Sequence, residues 1–236
     1  MVDLHCHLLP GIDDGAGCWE ESIALAKEAA SLGISTVVVT PHAAYAGRRN
    51  HPQSVMDLTA QLRQRLQQEN IPLQVREGME IPSHEWSPGC ANQRHLCLAG
   101  SQYVCLEPPP GHQPLFLRGI IFESAVLGYR PLLVHPERCE WVQRRPEILG
   151  ELVASGAQLM VNAGSLVGLF GEKVRHAALE LVRRGLCFAV CSDAHSRTRS
   201  FAPFKQAYCL VERQFGPAVA TRLFRDNPGL VTGAGT

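Results

Sequence analysis

Five short apolar runs in this chain each stop at a histidine or a carboxylate, and that recurrence restricts the fold more than any figure of composition. They are Val2-Asp3-Leu4-His5-Cys6-His7, Val37-Val38-Val39-Thr40-Pro41-His42, Val75-Arg76-Glu77-Gly78-Met79-Glu80, Leu132-Leu133-Val134-His135 and Ala189-Val190-Cys191-Ser192-Asp193-Ala194-His195. Short continuous apolar runs suit strands buried on both faces. Helical periodicity fills the intervals: 20–32 carries Leu25, Ala29 and Leu32 on one face before Gly33, and Pro52 opens a second helix with Val55, Leu58, Leu62 and Leu66. Further helices are predicted over 115–127, 146–154, 172–184 and 204–224, and further strands over 103–107, 131–134, 158–161 and 187–191. This alternation predicts an α/β protein with a parallel sheet or barrel, of about seven strand-helix units rather than the eight of a regular barrel. Residues 82–102 lack clear periodicity and read as an irregular segment, a candidate flap.

At 236 residues and 45% hydrophobic content the chain suits one large domain over 1–236. Lys plus Arg equals Asp plus Glu at 22 each, which gives no reason to expect nucleic acid or a membrane surface as partner. No apolar stretch approaches the ~18 residues of a membrane span, and the chain enters its first strand directly, so a cytoplasmic location is expected. Nine cysteines, an odd number with no C-x-x-C pair, are expected to be reduced thiols. Cys187 and Cys191 read as buried hydrophobes, and Cys6 should point away from its two histidine neighbours.

His5 and His7 share a face of a strand, so both imidazoles can reach one divalent cation. In parallel barrels functional groups gather at the carboxyl ends of strands. The candidates there are His5, His7, His42, Glu80, Glu107, His135, Asp193 and His195, with Asp14 in the loop after the first strand. Each alone has a plainer explanation: Asp13-Asp14-Gly15 as a turn, Glu107 as a solvated residue, Asp193 as a helix cap. Their recurrence at successive strand ends favours a metal site. The remaining histidines, His51, His84, His95, His112 and His176, read as surface or loop residues. The donor set exceeds one four-coordinate ion and a carboxylate such as Glu80 can bridge, so two or three metals are implied. Imidazole and carboxylate without thiolate suit zinc, manganese or iron.

The stretches His5-Cys6-His7-Leu8-Leu9-Pro10-Gly11-Ile12-Asp13-Asp14-Gly15, Thr40-Pro41-His42, His135-Pro136-Glu137-Arg138, Asn162-Ala163-Gly164-Ser165-Leu166 with Phe170-Gly171, Ser192-Asp193-Ala194-His195 and Asp226-Asn227-Pro228 closely resemble the polymerase-and-histidinol-phosphatase (PHP) superfamily. Within it they are most similar to the capsule-associated bacterial protein-tyrosine phosphatases of the CpsB/YwqE type, nearly end to end. The resemblance implies a distorted (β/α)7 barrel with a trinuclear site, commonly of manganese, with iron or zinc as alternatives. By motif, His5, His7 and Asp193 would hold one metal, with Glu80 bridging to a second on Glu107 and His135. Asp14, His42 and His195 would hold the third. Arg138 matches a phosphate-contacting arginine of the family; a second follows the Asp-x-His pair, where Arg197 and Arg199 both qualify and Arg199 is preferred. Cys139 stands where the family often has tyrosine, and the Asn162 segment reads as structural support.

The implied reaction is hydrolysis of a phosphate monoester by metal-activated water, with His42 or a metal-bound water as proton source and without a cysteine-phosphatase loop. The implied substrate is phosphotyrosine on a bacterial tyrosine autokinase that controls capsular or exopolysaccharide synthesis, met at the inner membrane face. Other expectations are a small-molecule phosphatase such as one for histidinol phosphate, and a non-enzymatic metal-binding regulatory module. An amidohydrolase would offer a bridging lysine where Glu80 stands. No sequence pattern fixes the oligomeric state.

Overall fold

The computed structural model describes residues 1–89, 94–111 and 114–233. Its first strand, β1 (Val2–Cys6), leads into α1 (Trp19–Ser31), which buries Ile23, Leu25, Ala26 and Ala29 and carries Glu20 and Glu21 in its first turn, where the helix dipole favours acid. Gly33, at φ +81°, follows the helix in the left-handed turn that glycine adopts without strain. Then come β2 (Thr36–Val39), a small hairpin of β3 (Ala44–Tyr45) and β4 (Arg48–Arg49), and α2 (Pro52–Gln68), which opens on proline and buries Val55, Leu62 and Leu66.

The third barrel strand is broken. Its first half, β5 (Gln74–Glu77), pairs with β2; its second, β6 (Glu80–Pro82), pairs with β7 (Tyr103–Glu107). Gly78 lies at the break because a Cβ there would stand 2.7 Å from Leu98 Cδ2 and 3.1 Å from Val38 Cγ1. After β7 the order is α3 (Leu117–Val126), β8 (Arg130–Val134), α4 (Glu140–Arg144), α5 (Ile148–Ala154), β9 (Gln158–Asn162), α6 (Ala163–Leu166), α7 (Glu172–Arg183), β10 (Cys187–Cys191), α8 (Ala202–Phe215), α9 (Pro217–Thr221) and α10 (Asn227–Thr232).

The barrel strands pair in parallel as two sheets, β1-β2-β5 and β10-β9-β8-β7-β6. Two isolated bridges, Cys6 with Ala194 and His42 with Glu80, join the sheets into a ring. With β5 and β6 taken as one interrupted strand, the result is the distorted seven-stranded barrel expected from the sequence.

Alternate residues of these strands, among them Val38, Tyr103, Cys105, Leu132, Val134, Met160, Ala189 and Cys191, form an apolar cluster that fills the lower interior. Val2 and Leu4 belong to it as well. The β1 register with β2 skips between Asp3 and Cys6, and this bulge lets His5 follow Leu4 inward while Cys6 sits opposite Val39 in the outer core. A second, larger cluster lies between strands and helices, with Leu25, Val37, Leu62, Leu133, Val161 and Phe204 among its members.

Two expectations need correction. Residues 82–102 are not a flap where they are described: Trp86 is buried with its Nε1 donating to Ser124 Oγ at 2.9 Å, and Leu98 packs into the barrel interior from the second of two 3-10 turns. The C-terminal helical region is also longer and more broken than 204–224. Gly216, at φ +94°, ends α8, and α10 carries Val231 into the interior cluster.

Candidate metal centre

Two residues beyond the apolar floor, the same strands turn polar: Thr40 and then His42 follow Val38, Glu107 follows Cys105, Asn162 follows Met160 and Asp193 follows Cys191. Three histidines are clamped from behind by one ring nitrogen. His5 Nδ1 meets Thr40 Oγ1 at 2.6 Å, His7 Nδ1 meets Asp13 Oδ2 at 2.7 Å, and His195 Nδ1 meets its neighbour's carbonyl, Asp193 O, at 2.8 Å. The acceptors at His7 and His195 require Nδ1-H, and Thr40 accepts from His5 when its own hydroxyl donates to Cys6 O at 3.4 Å; in each neutral ring the Nε2 lone pair is then free. His5, His7 and His195 Nε2 are all buried without a hydrogen bond, facing carboxylate oxygens at 3.2–3.8 Å. Orphaned acceptors of this kind cost stability in a dry interior unless a cation meets them.

The carboxylates converge on the same space. Glu80 is fully buried and spans four imidazoles: Oε1 lies 3.2 Å from His135 and 3.7 Å from His5, Oε2 lies 2.9 Å from His42 Nδ1 and 3.5 Å from His7. Asp14 Oδ1 stands 3.3 Å from His42 Nε2 and 3.4 Å from His195 Nε2. Asp193 Oδ1 faces His5 at 3.2 Å, while Oδ2 accepts from Asn162 Nδ2 at 2.9 Å, Arg138 Nη1 at 3.0 Å and Arg199 Nη2 at 3.3 Å. His135 and Asp193 both have left-handed backbone, at φ 38° and 53°, a strain of about 1–3 kcal/mol each.

Titration behaviour follows from this crowding. Burial opposes charge on His5, but Glu80 and Asp193 outweigh it and hold the imidazole well above its ordinary range. Burial likewise works upward on Glu80, yet His5, His135 and His42 keep it well below the usual carboxylate range. His42, although burial opposes its protonation, is raised to about 9 by Glu80, with Glu107 and Asp13 contributing. Burial, reinforced by His7, drives His195 down to about 4. The pocket therefore demands positive charge at its centre and resists supplying all of it as imidazolium.

All nine ligand candidates meet here, and they fall into four groups whose donor atoms lie within 4.8 Å of one another: His7-Asp14-His42-His195, His5-His7-Asp193, His5-Glu80-His135 and His42-Glu80-Glu107. Imidazole nitrogens and carboxylate oxygens are donors that suit a divalent cation, which makes these groups candidate metal sites. Relative to the partition implied by resemblance, Glu107 groups with Glu80 and His42 rather than with His135, and His7 joins the third set. Asp193 is no helix cap; its carboxylate is spent on the cage and its arginines.

The family model described as capsular polysaccharide synthesis, CpsB/CapC, matches residues 1–232. The chain belongs to the CpsB/CapC family. It is 38% identical over 218 residues to the tyrosine-protein phosphatase YwqE of Bacillus subtilis, covering 92% of this chain and 85% of that one. To the tyrosine-protein phosphatase CpsB of Streptococcus pneumoniae it is 26% identical over 234 residues, covering 97% and 96%. A solved structure from work on these two proteins, described as metal-dependent tyrosine phosphatases, superposes with a TM-score of 0.90 at 33% identity, covering 100% of this chain and 96% of the other. The fold alone is shared with a histidinol phosphate phosphatase of Lactococcus lactis, at a TM-score of 0.53 and 11% identity.

For this CpsB/CapC chain the arginine choice acquires geometry. Arg199 reaches both Asp193 and Asp14, the latter at 3.5 Å, and Arg138 donates to the same Asp193 oxygen, Oδ2, while its guanidinium carbon lies 4.6 Å from the Phe170 ring centroid. The supporting residues were the harder ones to foresee. Asp13 orients His7 and also accepts from the His42 amide at 3.1 Å. Buried Glu137 accepts from the Asn162 amide and Ser165 Oγ, fixing the segment that holds Asp193. Asp3, pushed up to about 6 by burial against the pull of Ser192, ties β1 to the Asp193 loop.

The expectation of no cysteine-phosphatase spacing is corrected: Cys139 precedes Arg145, and Cys191 precedes Arg197, with five residues between. Neither is a nucleophile loop. Burial pushes the Cys139 thiol up to about 12, its Sγ donates to Pro108 O, and Cys191 lies in the apolar floor with its thiol raised well above the ordinary range. No disulfide occurs among the described residues.

Proposed function

We propose that this chain is a metal-dependent protein-tyrosine phosphatase using two or three divalent ions, manganese in first place and iron or zinc as alternatives. The observation that carries the reading is the convergence of three buried, unpartnered Nε2 atoms with four carboxylates beneath two partly exposed arginines. His5, His7 and Asp193 would hold one ion, Asp14, His42 and His195 with His7 beside them another, and Glu80, with His135 on one side and Glu107 on the other, would complete the set. Bound divalent ions there supply Lewis acidity and lower the pKa of water toward ~7.

The residues of the chain do the rest. Arg138 and Arg199 flank Asp193 and present guanidinium groups to phosphoryl oxygens, whose geometry they match bidentately. They neutralise charge as the phosphoryl group passes in line between attacking and leaving oxygen. His42 stands between two acids, Nδ1 2.9 Å from Glu80 and Nε2 3.3 Å from Asp14, so it would be a ligand with cations in the site and a general acid only without them. A phenol, with a pKa near ~10, leaves more readily than an alkanol and has less need of one.

The family's tie to capsular polysaccharide synthesis, together with the phosphatases among its relatives, supports phosphotyrosine on a bacterial tyrosine autokinase as the physiological substrate. Among the described residues no helix is long and apolar enough to cross a membrane. We place the protein in the cytoplasm, meeting its kinase at the membrane's inner face.

The test is turnover of a phosphotyrosine peptide and of histidinol phosphate by protein loaded with manganese, iron or zinc, alongside anomalous diffraction at each metal edge. The peptide is expected to have the higher kcat/KM. Inactivity on the peptide with all three metals overturns the reading.

A further inference from the structure

A cleft of about 270 Å³ opens directly beside the cage and shares Asp193 and Arg199 with it. Leu169, Phe170, Pro203 and Gly164 form an apolar side of it, and Asn162, Ser192, Thr198 and Ser200 line the rest. A roomier cleft of about 410 Å³ along α7 includes none of the cage residues.

The apolar wall is a built feature. Leu169 and Phe170 lie between Gly168 and Gly171, at φ +89° and +90°, so the loop between α6 and α7 turns twice through backbone that favours glycine. It folds back over Gly164, where a Cβ would come within 3.0 Å of Phe170 Cε2 and 3.4 Å of Leu169 Cδ1. The two side chains nevertheless remain 64% and 40% exposed. An apolar pair left in water at the rim of a charged site marks a binding surface better than it marks packing. Phe170 also lies under the Arg138 guanidinium, so one ring touches both the phosphate side of the site and the cleft.

We propose that this cleft receives the aromatic ring of the leaving group, with Leu169, Phe170 and Pro203 as the residues that select an aryl phosphate over an alkyl one. The proposal rests on the phosphatase reading and adds the basis of its selectivity. A cleft just under the roughly 300 Å³ at which drug-sized sites begin suits a single ring. A ring whose phosphate is held at Arg138 and Arg199 covers Leu169 and Phe170, whereas a short alkyl ester leaves them wet. Aromatic contact adds specific geometry to the apolar burial.

The experiment is calorimetric titration of the manganese-loaded protein with phenylphosphonate and methylphosphonate, two non-hydrolysable probes that share the anionic group. The wild-type protein is expected to bind the phenyl compound about tenfold more tightly, and Leu169→Ala and Phe170→Ala each to reduce that ratio about threefold or more. Reading the ratio cancels whatever Phe170 does for Arg138, and Leu169 has no such second role. Both side chains are exposed enough that the variants should keep the wild-type melting temperature. Equal affinity for the two probes in the wild type, or a ratio untouched by both substitutions, overturns the ring subsite and leaves the phosphatase reading standing. Failure of both probes to bind overturns the two together.

Discussion

The floor of the barrel and its mouth are built from the same strands, one pleat apart, and they behave as opposite materials. Cys105, Met160 and Cys191 belong to a dry apolar cluster; Glu107, Asn162 and Asp193, two residues on, line a polar cage. The contrast shows how the site is made costly and useful together. A dry floor removes water from beneath the carboxylates, which strengthens every charge interaction above it. It also supplies rigidity, because the clamped histidines stand on strands whose inward side chains are already packed.

If the mouth is chemistry and the floor is scaffold, substitutions should separate cleanly. The largest effect is expected from Asp193→Asn, which keeps the shape but removes the charge that faces His5: turnover should fall by about 10³-fold or more with the fold retained. Activity assay with metal analysis checks it, and normal turnover would break the division. Arg138→Ala should cost about 10²-fold in kcat while leaving metal content intact; loss of metal would mean that the arginine holds the cage rather than the phosphate. Asp13→Asn, which weakens the clamp on His7, should lower metal affinity about 10–100-fold by chelator competition. Gly15→Ala should strike the same loop sterically, since its Cβ would lie 2.2 Å from His7 O. The smallest effect on the site is expected from Leu132→Ala in the floor. Chemical denaturation should report a loss of about 2–5 kcal/mol in stability, with metal affinity unchanged. A large drop in affinity would show that floor and mouth are not separable.

The division also explains what the sequence could disclose. Strand-end ligand candidates are legible because the signal is local: an apolar run ends in a histidine or an acid, and the pleat fixes which residues share a face. Recurrence over several strands did the rest. Asp13 was obscured by its turn context, since Asp13-Asp14-Gly15 is turn chemistry as well as site chemistry, and only the folded loop shows Asp13 behind His7 and Asp14 in front of His195. Asp3 and Glu137 were out of reach for another reason. Their partners, Ser192 and Ser165, are 189 and 28 residues away, and no local pattern encodes such contacts. The bulge in β1 is similar: alternation predicted that His5 and His7 share a face, but not that Leu4 precedes them into the same interior. Residues 82–102 were misjudged because a strand returned by 3-10 turns leaves no helical period to read.

The two bridges that join the barrel's sheets fall at Cys6 with Ala194 and at His42 with Glu80. The first lies between His5 and His7 on one side and between Asp193 and His195 on the other; the second is made of two candidate ligands. Cations in this cage would rivet both seams of the cylinder at once, so that losing them should unzip the ring where its backbone stitching is thinnest. A descendant that gave up catalysis would still be pressed to keep much of the donor set, simply to stay closed.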